Sequence, residues 1–194
     1  MILWTDTSPA TLDEIAAVLR GGGVVLLPTD TIYGLHGLAG NRDVTARIAA
    51  IKGREETKPF VILAASVTQV EALGAAVPPI LKDLWPAPLT AVLATDQAFS
   101  IAVRIPAVEW LRSLLRRTGP LISTSANRSG EPPISAANQL AQTLHDALDG
   151  ILDAGPIAGE PSAIVDFTGD QPRLIREGEP GFTQNLRKTL RISL

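Results

Sequence analysis

The chain has 194 residues, 45% of them hydrophobic and only 4% aromatic, and its 17 basic against 20 acidic side chains leave a net charge of −3. That length suits one large domain or two small ones with a Leu, Ile, Val and Ala core, and the acidic balance excludes a surface that is a nucleic-acid platform throughout, though not a local basic cleft. The absence of cysteine excludes disulfides, and with only His36 and His145 as imidazoles a structural zinc site is excluded in practice.

No apolar run approaches the roughly 20 residues of a membrane-spanning helix. The opening MILWTDTSPATLDE lacks a basic stretch followed by a long apolar one, so no secretory leader is expected, and a reducing cytoplasm is the expected location. Thr11-Leu12-Asp13-Glu14 has the capping-box pattern, with Leu12, Ile15, Ala16 and Leu19 following on one helical face. Gly21-Gly22-Gly23 precedes a strand and lacks the Gly-Lys-Ser/Thr of a Walker A loop, so it reads as a helix stop. Val24-Val25-Leu26-Leu27 reads as a strand buried on both faces, ended by Pro28. The loop after it carries Thr29, Asp30, Thr31 and Tyr33 at a sheet edge, the usual place for a ligand in open α/β sheets. Taken alone, that stretch reads better as a turn with an Asx-type hydrogen bond.

A second helix is spaced by Val44, Ile48 and Ile51, capped by Asn41 or Asp43, and ends at Lys52-Gly53-Arg54 with Lys58-Pro59 soon after. Strands are expected over 60–64, 90–94, 101–104, 121–124, 151–153, 163–167 and 173–176. Helices are expected from Ser66, behind Pro78-Pro79 as far as Trp85, and over 108–117, 136–148 and 183–190. Because several adjacent strands have no helix between them, the pattern predicts a mixed α/β sheet rather than a regular doubly wound one, in one domain over residues 1–194.

Three groups could carry chemistry. Lys52, Arg54 and Lys58 gather three cations near a helix end, suited to phosphate oxygens or merely to the helix dipole. Ser123, Thr124, Ser125, Asn127 and Ser129 leave a strand on a turn that could cradle an anion or cap a helix. Arg104, Ser162 and Arg176 lie at strand ends, where a basic cleft would need them to face one another. With two histidines and no cysteine, no nucleophilic triad can be assembled, and Asp30 and Asp166 have no evident pairing. Positioning and electrostatic stabilisation of phosphate charge are therefore better supported than covalent catalysis.

In order along the chain, PTDTIYGL, KGR with KP behind it, WPAPLT, SIAVRIP, ISTSANRSGEPP, SAIVD and LIREG together resemble the YrdC/TsaC family of threonylcarbamoyl-AMP synthases, over about residues 12–178. The resemblance implies a YrdC-like α/β fold, a single-domain twisted open mixed sheet with flanking helices and a concave basic cleft. It also implies formation of L-threonylcarbamoyl-adenylate and pyrophosphate from L-threonine, bicarbonate and ATP, with Mg2+ held mainly by the phosphates. The product would pass to downstream threonylcarbamoyl-transfer proteins for tRNA modification. The family's Lys-x-Arg and Ser-x-Asn signature falls on Lys52, Arg54, Ser125 and Asn127, which are the catalytic candidates. By motif position, Arg54, Lys58, Ser100, Ser125, Pro133 and Arg176 would contact ATP, and Thr31, Arg104, Ser123 and Ser162 would contact threonine; no protein metal ligand is implied. Ala87 departs from the family's WPGP, Glu55 stands where many relatives have Pro, and Leu63 stands where some have a histidine. The chain is expected to be the short form, without the extra C-terminal domain of longer relatives. Two rivals remain: a non-catalytic module binding tRNA or double-stranded RNA, and a carbamoyl-transfer domain with another acceptor. Any RNA contact through Lys52, Arg54, Lys58 and Arg128 is expected to be weak, non-specific and salt-sensitive.

Overall fold

The computed structural model describes residues 1–53, 59–127 and 131–192, with Thr143 described by its backbone alone. Ten strands form one sheet among them: β1 (Ile2–Trp4), β2 (Val25–Leu27), β3 (Gly34–Leu38), β4 (Val61–Leu63), β5 (Leu89–Ala94), β6 (Ser100–Arg104), β7 (Leu121–Ser125), β8 (Gly150–Leu152), β9 (Ala163–Asp166) and β10 (Arg173–Arg176). Their spatial order is β1-β8-β2-β3-β7-β4-β6-β5-β9-β10, with parallel and antiparallel pairs interleaved, as the irregular alternation predicts. No helix among the described residues is long and apolar enough to cross a membrane.

Side chains alternate across a strand, and the register carries that alternation from strand to strand. One face carries Leu26, Leu35, Ile122, Val103, Ala91 and Val165. It is closed by α2 (Arg42–Lys52) and the segment around Leu140, Leu144 and Leu148 on one side, and by α3 (Val67–Glu71), α4 (Pro79–Leu84) and α7 (Pro180–Leu190) on the other. On the opposite face, α1 (Pro9–Arg20) and α5 (Glu109–Thr118) pack Leu12, Ile15, Leu19, Leu111, Leu114 and Leu115 onto Val25, Leu27, Leu63 and Leu121. That pair covers only part of the face. The remainder, with Gly34, Ser123, Ser125, Arg104, Thr90, Ile164 and Arg176, is left to a cavity.

Several expectations need correction. The N-cap of α1 is Ser8, not Thr11: the Ser8 hydroxyl accepts the Thr11 N–H at 3.3 Å, and Pro9 occupies the first turn, where its fixed φ and missing N–H cost nothing. The PTDTIYGL loop is shorter than expected, because Gly34–Leu38 forms β3 between β2 and β7. β1 was not anticipated; three residues are too few for periodicity to show. The helix expected over 136–148 is a 3-10 turn at Ala137–Gln139 and one helical turn, α6 (Gln142–His145), parted by an extended Leu140. Gln139 folds its side-chain oxygen back onto the N–H groups of Ser135 and Ala136, which ties the first turn to itself. Ala87 is absent from the positive-φ positions, so the WPAP departure forces no glycine-only angle.

Candidate functional site

A cavity of about 430 Å³ opens on the uncovered part of the sheet. Its deepest charge is Arg104, at the end of β6 and only 5% exposed. Arg104 donates Nη1–H to Thr31 Oγ1 at 2.8 Å, and its Nη2 lies 3.5 Å from the Asp30 carboxylate. Burial lowers the Arg104 pKa, with Asp30 opposing and the neighbouring Arg176 adding to the fall. Asp30 is fixed in turn by accepting the Ala107 N–H at 3.0 Å. Thr29 braces the loop: its hydroxyl accepts the N–H of Thr31, at 3.1 Å, and bonds the Thr31 hydroxyl at 2.9 Å. The Tyr33 hydroxyl donates to the Gly155 carbonyl at 2.7 Å and accepts the Ala154 N–H, and burial raises its pKa.

The second guanidinium is Arg176 on the edge strand β10. Its Nε and Nη2 both donate to the Ser162 carbonyl, at 3.1 and 2.8 Å, and Nη2 also meets the Ser162 hydroxyl at 3.3 Å. Ser162 bonds the Thr90 hydroxyl at 2.8 Å, so a hydrogen-bonded chain runs along the cavity wall from the buried Thr90 and Ser162 to the exposed Arg176. Burial lowers the Arg176 pKa. Asp30 and Asp166 do have partners, Arg104 and Arg173 respectively, the latter exposed; they do not face each other.

Among the sequence candidates, Thr31, Arg104, Ser123, Ser125, Asn127, Pro133, Ser162 and Arg176 all line this cavity. Lys52 does not. Its ammonium, buried at the last turn of α2, donates to the Ser125 carbonyl and to Asn127 Oδ1, both at 2.7 Å, and to the Asn127 carbonyl, so it ties α2 to the end of β7. Ser100 is exposed at the start of β6 and is not part of the lining. Four steps along a strand separate it from Arg104 by roughly 13 Å. Arg54, Lys58, Arg128 and Ser129 lie outside the described residues. The sequence places Thr29 and Asp30 on the loop at the sheet edge without assigning either a substrate contact, and it assigns Thr90 none. Thr29 and Asp30 adjoin Thr31 in its motif and Thr90 closes the WPAPLT motif, while the link from Thr90 to Ser162 shows only in the parallel pairing of β5 with β9. His36 was noted only as a poor zinc ligand. It is fully buried, with Nε2 3.1 Å from Ser123 Oγ, and burial drives its pKa to about 3, Arg104 adding to the fall and the Gly34 carbonyl opposing.

Among the described residues, the cavity therefore presents the guanidiniums of Arg104 and Arg176, several hydroxyls, and an apolar wall that includes Phe60, Leu63 and Ile164. Such a lining can hold a carboxylate or phosphate beside a small side chain with one polar and one apolar group.

A family model, Sua5_yciO_yrdC, described as "Telomere recombination", matches residues 17–178. A threonylcarbamoyl-AMP synthase of Bacillus subtilis is 32% identical over 189 residues, covering 89% of this chain and 55% of that protein. A threonylcarbamoyl-AMP synthase of Coxiella burnetii is 34% identical over 186 residues, 87% of this chain and 100% of that protein. The structure of Pyrococcus abyssi Sua5 complexed with L-threonine superposes with a TM-score of 0.87 at 30% identity, covering 97% of this chain and 60% of that one. The chain thus spans little more than half the length of the Bacillus and Pyrococcus proteins. With the family pattern matched over most of its length, the chain belongs to the Sua5/YciO/YrdC family.

Proposed function

We propose that the chain makes L-threonylcarbamoyl-adenylate from L-threonine, bicarbonate and ATP, releasing pyrophosphate, for tRNA modification. The observation that carries this reading is the buried Arg104 guanidinium, fixed by Thr31 and Asp30 and set in a hydroxyl-lined cavity, in a fold like that of a protein crystallised with L-threonine. Arg104 would take the threonine carboxylate, with Thr31, Ser123 and Ser162 around the amine and hydroxyl, and the apolar wall would receive the methyl. The amine attacks the carbon of bicarbonate to give a carbamate with loss of water. A carbamate oxygen then attacks the α-phosphorus, and pyrophosphate leaves.

Arg176, Ser125 and Pro133 would flank the nucleotide, with Arg54 and Lys58 meeting the phosphates by motif position and Ser100 reaching only its outer part. Asn127 and Lys52 would support Ser125, Lys52 acting through the hydrogen bonds it donates. Magnesium would travel with the phosphates, whose oxygens are its usual ligands at such sites. Serine differs from threonine by one methyl, worth about 1–3 kcal/mol in a pocket, so some serine should be used.

The test is mass spectrometry of the products formed from ATP, bicarbonate and threonine, together with threonine-dependent pyrophosphate release. Threonylcarbamoyl-adenylate is the expected product. Tight RNA binding with no turnover would favour the binding-module reading instead, and carbamoylation of another acceptor would favour the transfer-domain reading.

A further inference from the structure

We infer that His36 is a positioning residue for threonine recognition, its imidazole holding the Ser123 hydroxyl in one orientation toward the cavity; this rests on the threonine reading above. The register of β3 and β7 sets His36 directly opposite Ser123, and Nε2 meets Oγ at 3.1 Å. Ser123 lines the cavity while His36, fully buried, stands behind it. Among the described residues the imidazole is the one partner of that hydroxyl, which would otherwise be free to rotate. Gly34, two residues earlier on the same face, makes the room: a Cβ there would lie 2.9 Å from His36 Cε1.

The imidazole does little for the fold. Nδ1 has no hydrogen-bond partner among the described residues. A buried polar ring with one of its two nitrogens unpaired costs stability, and an apolar side chain of similar size would serve the core at least as well. What the ring supplies is direction. Kept neutral by burial and by Arg104, it carries one proton. An unpaired buried acceptor costs less than an unpaired N–H, which places the proton on Nε2, donating to Ser123 Oγ. The Ser123 O–H is then turned into the cavity as a donor, matched to a carboxylate or hydroxyl oxygen of threonine.

The experiment combines imidazole ¹⁵N spectra of the wild-type protein with calorimetry. The chain has two histidines, so His145→Gln assigns both. Saturation with threonine should shift the His36 Nε2 resonance and leave His145 in place. His36→Leu should weaken threonine binding about three- to ten-fold, the scale of one hydrogen bond, leave ATP binding unchanged, and melt no lower than wild type at pH 7. His36→Gln, whose amide reaches the place of Nε2, should restore threonine binding. In a Ser123→Ala background, His36→Leu should add nothing. If wild type binds threonine but the His36 resonance stays still, or if His36→Leu binds threonine normally, the inference is overturned. Should His36→Leu fail to fold, the wild-type spectra decide. No heat from threonine with wild type overturns the substrate reading itself, and this one with it.

Discussion

A guanidinium held at 5% exposure needs compensation, and Arg104 finds it in one carboxylate at 3.5 Å and one hydroxyl at 2.8 Å. Its Nε and the Asp30 Oδ1 have no hydrogen-bond partner among the described residues. With Arg176 nearby, the pair retains positive character that an anionic substrate can satisfy. Arg104→Ala should therefore raise the threonine KM by about 10- to 100-fold, the scale of a charge-assisted hydrogen bond, and leave ATP affinity in calorimetry nearly unchanged. Equal loss for both ligands would show that Arg104 does not serve threonine. Lys52 contrasts with it: its bonds run to Ser125 and Asn127 rather than into the cavity. Lys52→Met should cost about 1–3 kcal/mol in denaturant unfolding, because buried carbonyls lose their donor, with turnover falling only as Ser125 loosens. Arg54 is assigned from Lys-x-Arg alone. Arg54→Lys keeps charge but loses the planar fork, so threonine-dependent pyrophosphate release should fall by roughly 10²–10³. Near-wild-type release from the folded variant would remove Arg54 from the catalytic set.

At the scale of elements, the segment between β8 and β9 crosses the PTDTIYGL loop at van der Waals distance. Gly159 permits it: a Cβ there would fall 1.8 Å from the Thr31 carbonyl oxygen. Tyr33 fastens the same crossing through the Gly155 carbonyl and the Ala154 N–H. Gly159→Ala must push Thr31 away from Arg104. It should lower the melting temperature and raise the threonine KM together, while Gly169→Ala, at a position with open space, should do neither. A change in stability with an unaltered threonine KM would show that this crossing does not position Thr31.

For the whole molecule, the buried imidazole of His36 links stability to pH. Its folded pKa of about 3 lies below the ordinary 6.5, so the unfolded chain binds the extra proton first. Stability is then full above about pH 6.5 and declines as pH falls toward 3, by roughly 2 kcal/mol between pH 7 and pH 5 for this group. Asp149 acts at lower pH: burial alone would raise its pKa, but the Val24 N–H and Arg47 outweigh it and hold the carboxylate below its usual range. Its contribution is present above the ordinary carboxylate pKa and is lost as pH falls through the depressed folded value. The melting temperature of wild type should fall progressively behind that of His36→Leu from pH 7 to pH 5, so that the two curves diverge. A constant difference from pH 7 to pH 5 would rule out His36 as the titrating group.

The sequence by itself determined the elements whose signals are local: apolar runs such as Val24 to Leu27, helix periodicity in α1, α2 and α5, and stops at Gly53 and Gly119, whose positive φ angles suit glycine. It also determined most of the cavity lining, because motif positions from Thr31 to Arg176 converge on one sheet face. Tertiary structure alone decided what depends on register and long-range pairing. Strand order brings Ser162 to Thr90, and β3 sets His36 against Ser123. Lys52 turned from the cavity because β7 ends at its ammonium, and the helix expected over 136–148 is parted at an extended Leu140, which the helical spacing of its leucines does not reveal. Periodicity reports which face of an element is apolar; which partner that face meets is settled by pairing between residues far apart in the chain.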